Sequence, residues 1–285
     1  MPKNIYKIFG YRTLPDIKTQ PIVDYSVLFN TYIKNIRNVP IVSEHAGKAI
    51  SLLSDSNSDI EMIEQVVAKD QTIAIALIKA ANFGFKSNAV STIEQALVRV
   101  GMSRALGIIL SYATMAKLPH NIRQPLYEHS LMTGILAKNL AKNLREDQEL
   151  LYTAGLIHDI GLAIMVIFLL NQSLPVYIPG NLQQERIMFG MDHGEAGAIY
   201  LKNTAFPQDI IEIVRSHTKI SPEESTNYRK MISVVQLADM LANVNGNSME
   251  AIYSQESISS KVSELLLSED DIVDLTKESF RDVKF

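Results

Sequence analysis

Residues 156 to 165 read LIHDIGLAIM, with His158 and Asp159 side by side in one of the most apolar stretches of the chain. Ionisable groups are costly in an apolar interior unless they are paired or bound to something. Two readings stay open from this decamer alone. Either the pair satisfies itself and nearby backbone, or it holds a metal ion.

The same stretch bears on membranes, because Leu150 to Leu170 is long and apolar enough to raise the question. A central aspartate costs roughly 2.5 to 3.5 kcal/mol on an insertion scale, and two glycines lie in the run as well. It reads as a buried helix, and no membrane association is expected. The first residues, MPKNIYKIFGYRTLPDIK, carry scattered charge without an apolar core, so they do not read as a signal peptide.

The surrounding 285 residues are 47% hydrophobic, enough to bury a large core. There is no cysteine, which excludes disulfides, thiolate zinc sites, iron-sulfur clusters and cysteine nucleophiles. A cytoplasmic protein is expected. The net charge of -4 is matched by residues 254 to 285, which hold eight Asp or Glu against four Lys or Arg. The body is therefore balanced, and it lacks the clustered cations that nucleic-acid binding requires.

Apolar spacing is helical throughout, and no run alternates as strands do. The expected fold class is all-α. Residues 1 to 22 read as irregular. Asp24 is placed to cap a helix through about Arg37, and a second spans about Ile41 to Leu53 before the polar break SDSNSD. A third covers about Ile60 to Ala68, Asp70 caps QTIAIALIKAAN, and Ser91 to Glu94 has capping-box spacing before a helix ending at Gly101. A sixth follows in GMSRALGIILSYATMAK. KLPHNIRQP, with two prolines, then reads as the boundary between lobes. Further helices are expected over about 126–143, 147–170, 183–203, 207–217 and 228–243, with a last one after Ser268. The division is 1–37 extension and first helix, 38–120 N-terminal lobe, 121–245 C-terminal lobe, and 246–285 acidic extension.

Four of the six histidines and two aspartates recur through the second lobe: His129, His158 with Asp159, His193, His217 and Asp239. Their separations, about one helix and a turn, let each approach a common centre from a different helix of a bundle. Imidazole and carboxylate without thiolate suit Fe, Mn, Ni, Zn or Mg. A shared aspartate would allow two ions, the usual device for activating water in phosphoryl hydrolysis. Against this, one histidine on an apolar helix is more often a hydrogen-bonded core residue, and Asp192 and Asp239 have cap or surface readings. His45 and His120 fall outside the pattern.

YEHS at 127 to 130, LIHDIG at 156 to 161, FGMDHGEAGA at 189 to 198, RSHT at 215 to 218 and QLADMLA at 236 to 242 resemble the HD superfamily. In the first lobe, VVAKDQTIAIALIKAANFGF and STIEQALVRVGMSRA resemble the HDOD family, bacterial signal-output domains related to HD phosphohydrolases. The resemblance implies an N-terminal helical lobe packed on an HD-like bundle. It places a minimal metal set on His129, His158, Asp159 and Asp239, with His193 and His217 where related domains hold a second ion. It also implies a regulatory module acting through an unidentified signalling protein; separately from the resemblance, a homo-oligomer stays open. Input would arrive by association.

The alternative is a metal-dependent phosphohydrolase of a nucleotide or other phosphoester. Leu162 stands where related phosphodiesterases carry a lysine, and Thr218 where they carry a second histidine. No GYP tripeptide occurs, which argues against cyclic di-GMP hydrolysis of the HD-GYP type. Arg215 and Lys219 flank His217 as substitute phosphate contacts.

Overall fold

The computed structural model describes residues 23–36, 44–55, 57–82, 89–176, 181–203, 206–219, 226–244 and 255–281. Among them 79% are helical and none is in a strand. The expectations for residues 1 to 22 lie outside the described residues.

Local chemistry sets the first-lobe helices: α2 (Glu44–Leu53), α3 (Ile60–Val67), α4 (Gln71–Asn82), α5 (Ile93–Val100) and α6 (Met102–Met115). Asp59 caps α3 by accepting from the Met62 amide, and Asp70 accepts from the Thr72 amide at the start of α4. The capping box before α5 is shifted by one residue from its expected place. Thr92 accepts from the Gln95 amide, and the Gln95 side chain accepts from Ser91 N–H. Gly101, at φ 76°, turns the chain from α5 into α6. α6 packs on α2, α4 and α5, and also on α8 (Gln148–Ile157) and α9 (Ile160–Asn171), joining both ends of the molecule.

α1 (Ser26–Asn35) stands apart from that lobe. It packs on α9, α10 (Leu182–Phe189) and α11 (His193–Lys202). Its Phe29 meets Phe168 and Phe189 edge-on, with ring centroids 5.3 and 5.0 Å apart. The first helix is thus part of the wall that backs the C-terminal bundle.

α7 (His120–Leu144), α12 (Gln208–Ser216) and α13 (Thr226–Val244) complete that bundle. Three sequence expectations need correction here. The helix expected from about 126 starts earlier, since α7 begins at His120 and runs through Pro125. The missing proline N–H costs one internal hydrogen bond, which a 25-residue helix with a buried face tolerates. The single helix expected over 147–170 is two, broken at His158-Asp159. The one expected over 183–203 is also two, turned by Gly190 at φ 74° and restarted by Asp192, which caps α11 through the Glu195 amide.

The most apolar 18-residue window of the segment Gln148–Asn171 is 94% buried inside the fold, as its buried-helix reading requires. α14 (Gln255–Glu264), not anticipated, packs on α13, and α15 (Glu269–Arg281) packs on α7. Ser268 caps α15 reciprocally with Asp271.

Candidate metal centre

The helix breaks create the site. His158 closes α8 and Asp159 opens α9, while His193 is the first residue of α11 and His217 closes α12. His129 and Asp239 project from within α7 and α13. All six are buried, at 7% exposure or less.

At a helix C-terminus the last carbonyls lack helical partners. His158 Nδ1 lies 2.7 Å from the Gly155 carbonyl, and His217 Nδ1 lies 2.7 Å from the Val214 carbonyl. A carbonyl only accepts, so each Nδ1 carries the proton and each Nε2 is turned inward, where it could bind a metal. The same three-residue back-bond thus presents two imidazoles. His193 reaches the same orientation differently. Its Nδ1 is 2.9 and 3.0 Å from the Oε1 and Oε2 atoms of Glu185, and Oε2 also accepts the His193 backbone N–H at 2.7 Å.

The six side chains form two groups joined by Asp159. On one side, Asp159 Oδ2 lies 3.4 Å from His129 Nε2 and 3.1 Å from His158 Nε2. Asp239 Oδ1 closes this group at 3.1 Å from His129 and 3.7 Å from His158. On the other side, Asp159 Oδ1 lies 3.4 Å from His193 Nε2 and 3.6 Å from His217 Nε2, and these two nitrogens are 3.0 Å apart. His129, His158 and Asp159 lie close enough together to share one cation, as do Asp159, His193 and His217.

Electrostatics call for positive charge at this centre. Burial disfavours charge on His129 and His158, but the Asp159 and Asp239 carboxylates outweigh it and raise the rings from 6.5 to about 9 and about 10. Burial likewise opposes ionisation of both aspartates, and the facing imidazoles hold both below the usual carboxylate range. Burial lowers His217, against the partial support of Asp159.

Protons alone fit poorly, because His129 and His158 present Nε2 to Nε2 at 3.3 Å while both are drawn toward protonation. A divalent ion removes the conflict. Around an ion with bonds of about 2.0 to 2.2 Å, neighbouring ligand atoms sit roughly 3 to 3.6 Å apart, close to the observed 3.0 to 3.7 Å. The residues present therefore fit a metal.

All six predicted ligands are brought together, and one further participant, Glu185, escaped sequence reading. Asp192 proves to be a cap. The suggested phosphate contacts are engaged elsewhere: Arg215 donates to both Glu212 oxygens at 2.9 and 2.8 Å, and Lys219 Nζ lies 3.8 Å from Glu195. Leu162, at the position of the absent lysine, is buried.

An all-helical bundle built around a His-Asp pair at a helix break defines an HD-type fold. The chain belongs to the HDOD domain family, whose profile matches residues 39–220. Solved structures with the same fold include a "Putative metal-dependent phosphohydrolase" from Shewanella amazonensis SB2B, 15% identical with TM-score 0.63 over 90% of this chain and 96% of that one. They also include a "Putative signal transduction protein" from Marinobacter aquaeolei VT8, 19% identical with TM-score 0.62 over 87% of this chain and 58% of that one. An "HDOD domain protein with unknown function" from Geobacter sulfurreducens is 18% identical with TM-score 0.59, over 91% and 98%. No curated protein matches the sequence.

Proposed function

We propose that this HDOD protein is a regulatory module that keeps a two-ion centre and acts through a signalling protein partner. The observation that carries the proposal is the double ligand set sharing Asp159, within which the cited ligand-atom spacings run from 3.0 to 3.7 Å. His129, His158, Asp159 and Asp239 would hold one divalent ion, and Asp159, His193 and His217 the other. The ligands come from α7, the α8–α9 break, α11, α12 and α13, so bound ions would tie the bundle together. Anything that binds only the folded state stabilises it by mass action.

Regulation is favoured over turnover by the surroundings of the centre. Leu162 is buried, and Arg215 and Lys219 are turned to carboxylates, so these positions offer no free cation to clamp a phosphate. Phosphohydrolysis is the second reading, favoured by the three-ligand set of the second ion, which leaves coordination positions for water or substrate. When bound, such ions would activate water and neutralise charge on phosphorus.

Purified protein, loaded in turn with Mn2+, Fe2+, Zn2+, Ni2+ and Mg2+, tests the choice on bis(p-nitrophenyl) phosphate and a nucleotide panel. The regulatory reading expects no turnover above the Asp159→Ala variant. Turnover that is lost in that variant would overturn it in favour of the hydrolase.

A further inference from the structure

The four imidazoles of the centre are held by different partners. His158 and His217 donate from Nδ1 to backbone carbonyls. His129 Nδ1 is buried with no hydrogen-bond partner among the described residues. His193 is the one of the four whose Nδ1 meets a carboxylate, that of Glu185, which is wholly buried. The turn between α10 and α11 makes this possible: it returns the chain so that a side chain in the middle of α10 faces the first residue of α11. Glu185 also accepts the His193 backbone N–H, so the carboxylate grips both the ring and the main chain of one residue.

We infer that Glu185 is a positioning residue for the second ion, fixing His193 as the Nδ1–H tautomer and strengthening Nε2 as a ligand. This deepens the two-ion reading and rests on it. Carboxylate support of a ligating histidine fixes ring orientation and raises ligand basicity, and its loss typically costs about 10- to 100-fold in metal affinity. The first ion has no such support, since neither His158 nor His129 meets a carboxylate at Nδ1. The two positions therefore differ in what holds them, and one substitution distant from the ions should separate them.

Glu185→Gln is the informative change because it keeps the shape and inverts the hydrogen bond. The amide oxygen still accepts the His193 backbone N–H. Its NH2 group then takes the position 2.9 Å from Nδ1, which favours Nδ1 as an acceptor and draws the ring proton toward Nε2, the lone pair that binds metal.

The test is titration of metal-stripped full-length protein with Co2+ alone, read by calorimetry and by the visible d–d bands. Wild type is expected to take up two equivalents. Glu185→Gln should take up the first with unchanged affinity and the second about 10- to 100-fold more weakly, its band appearing only at correspondingly higher Co2+. Equal uptake of both ions by the variant overturns the role of Glu185 while leaving the two-ion reading intact. Failure of wild type to bind a second Co2+ overturns both. Imidazole 15N NMR of Zn2+-loaded wild type gives a readout independent of the variant's folding: His193 must carry its proton on Nδ1, and a proton on Nε2 contradicts the assignment.

Discussion

Gly134 and Gly155 meet across α7 and α8 so closely that a Cβ on Gly155 would lie 2.9 Å from the Gly134 Cα and 3.0 Å from the Thr133 carbonyl oxygen. This contact lets the helix carrying His129 lie against the one ending in His158. A similar approach joins α9 to α11, where a Cβ on Gly161 would run into the His193 carbonyl oxygen. The metal-ligand helices are thus drawn together by glycines that are themselves not ligands.

Glycine to alanine within a helix ordinarily gains about 0.5 to 1 kcal/mol. At Gly155 the added methyl meets backbone that cannot swing aside, and overpacking costs about 1 to 3 kcal/mol. The cost wins, so Gly155→Ala should lower the denaturant midpoint and weaken binding of the first ion, which His129 and His158 share. Paired urea melts and metal titrations check both effects, and an unchanged midpoint would argue against the tight α7–α8 contact.

Asp159 and Asp239 should differ in metal stoichiometry. Asp159 faces both ligand groups, one oxygen to each, whereas Asp239 faces the first. Asp159→Ala should abolish uptake of both ions and remove the rise in melting temperature that metal produces in wild type. Asp239→Ala should retain the second ion. Elemental analysis after gel filtration distinguishes these results, and two full equivalents in Asp159→Ala would rule out the bridge.

Metal binding should release protons. In the metal-free protein burial opposes charge on His129 and His158, but the aspartates prevail and place the rings at about 9 and about 10. Folded values above the unfolded 6.5 mean that this stabilisation is complete below pH 6.5 and is lost as pH rises through 9 to 10. A metal competes for the same nitrogens, so its affinity should rise with pH across that window. Burial lowers His217, so it contributes no such penalty. Calorimetry at pH 7.5 in buffers of different ionisation enthalpy should count protons leaving with the first ion. Heat independent of buffer would contradict the assignment.

Much of this was legible in the sequence because the signals were local or repeated. Helical apolar spacing set the fold class, and His or Asp recurring from helix to helix marked the six residues that cluster. The helix breaks were less visible. Leu150 to Leu170 has the composition of one continuous helix, and only the tertiary fit of Gly161 against His193 shows why the chain turns at His158-Asp159. Glu185 was hidden for another reason. It lies in the polar run QQER, which reads as solvated surface, and its partner is eight residues away across the turn at Gly190. A glutamate placed before a Gly-x-Asp-His turn was the available signal.

The central claim is that the buried His and Asp cluster holds metal, and elemental analysis of protein purified without a metal-affinity tag tests it most directly. Wild type should carry close to two equivalents of a divalent transition metal, and His158→Ala should lose the first of them. Wild type that carries no metal, and gains none on incubation with Mn2+, Fe2+, Zn2+ or Ni2+, would contradict the account and leave His158-Asp159 as a self-satisfied polar pair in a helical core.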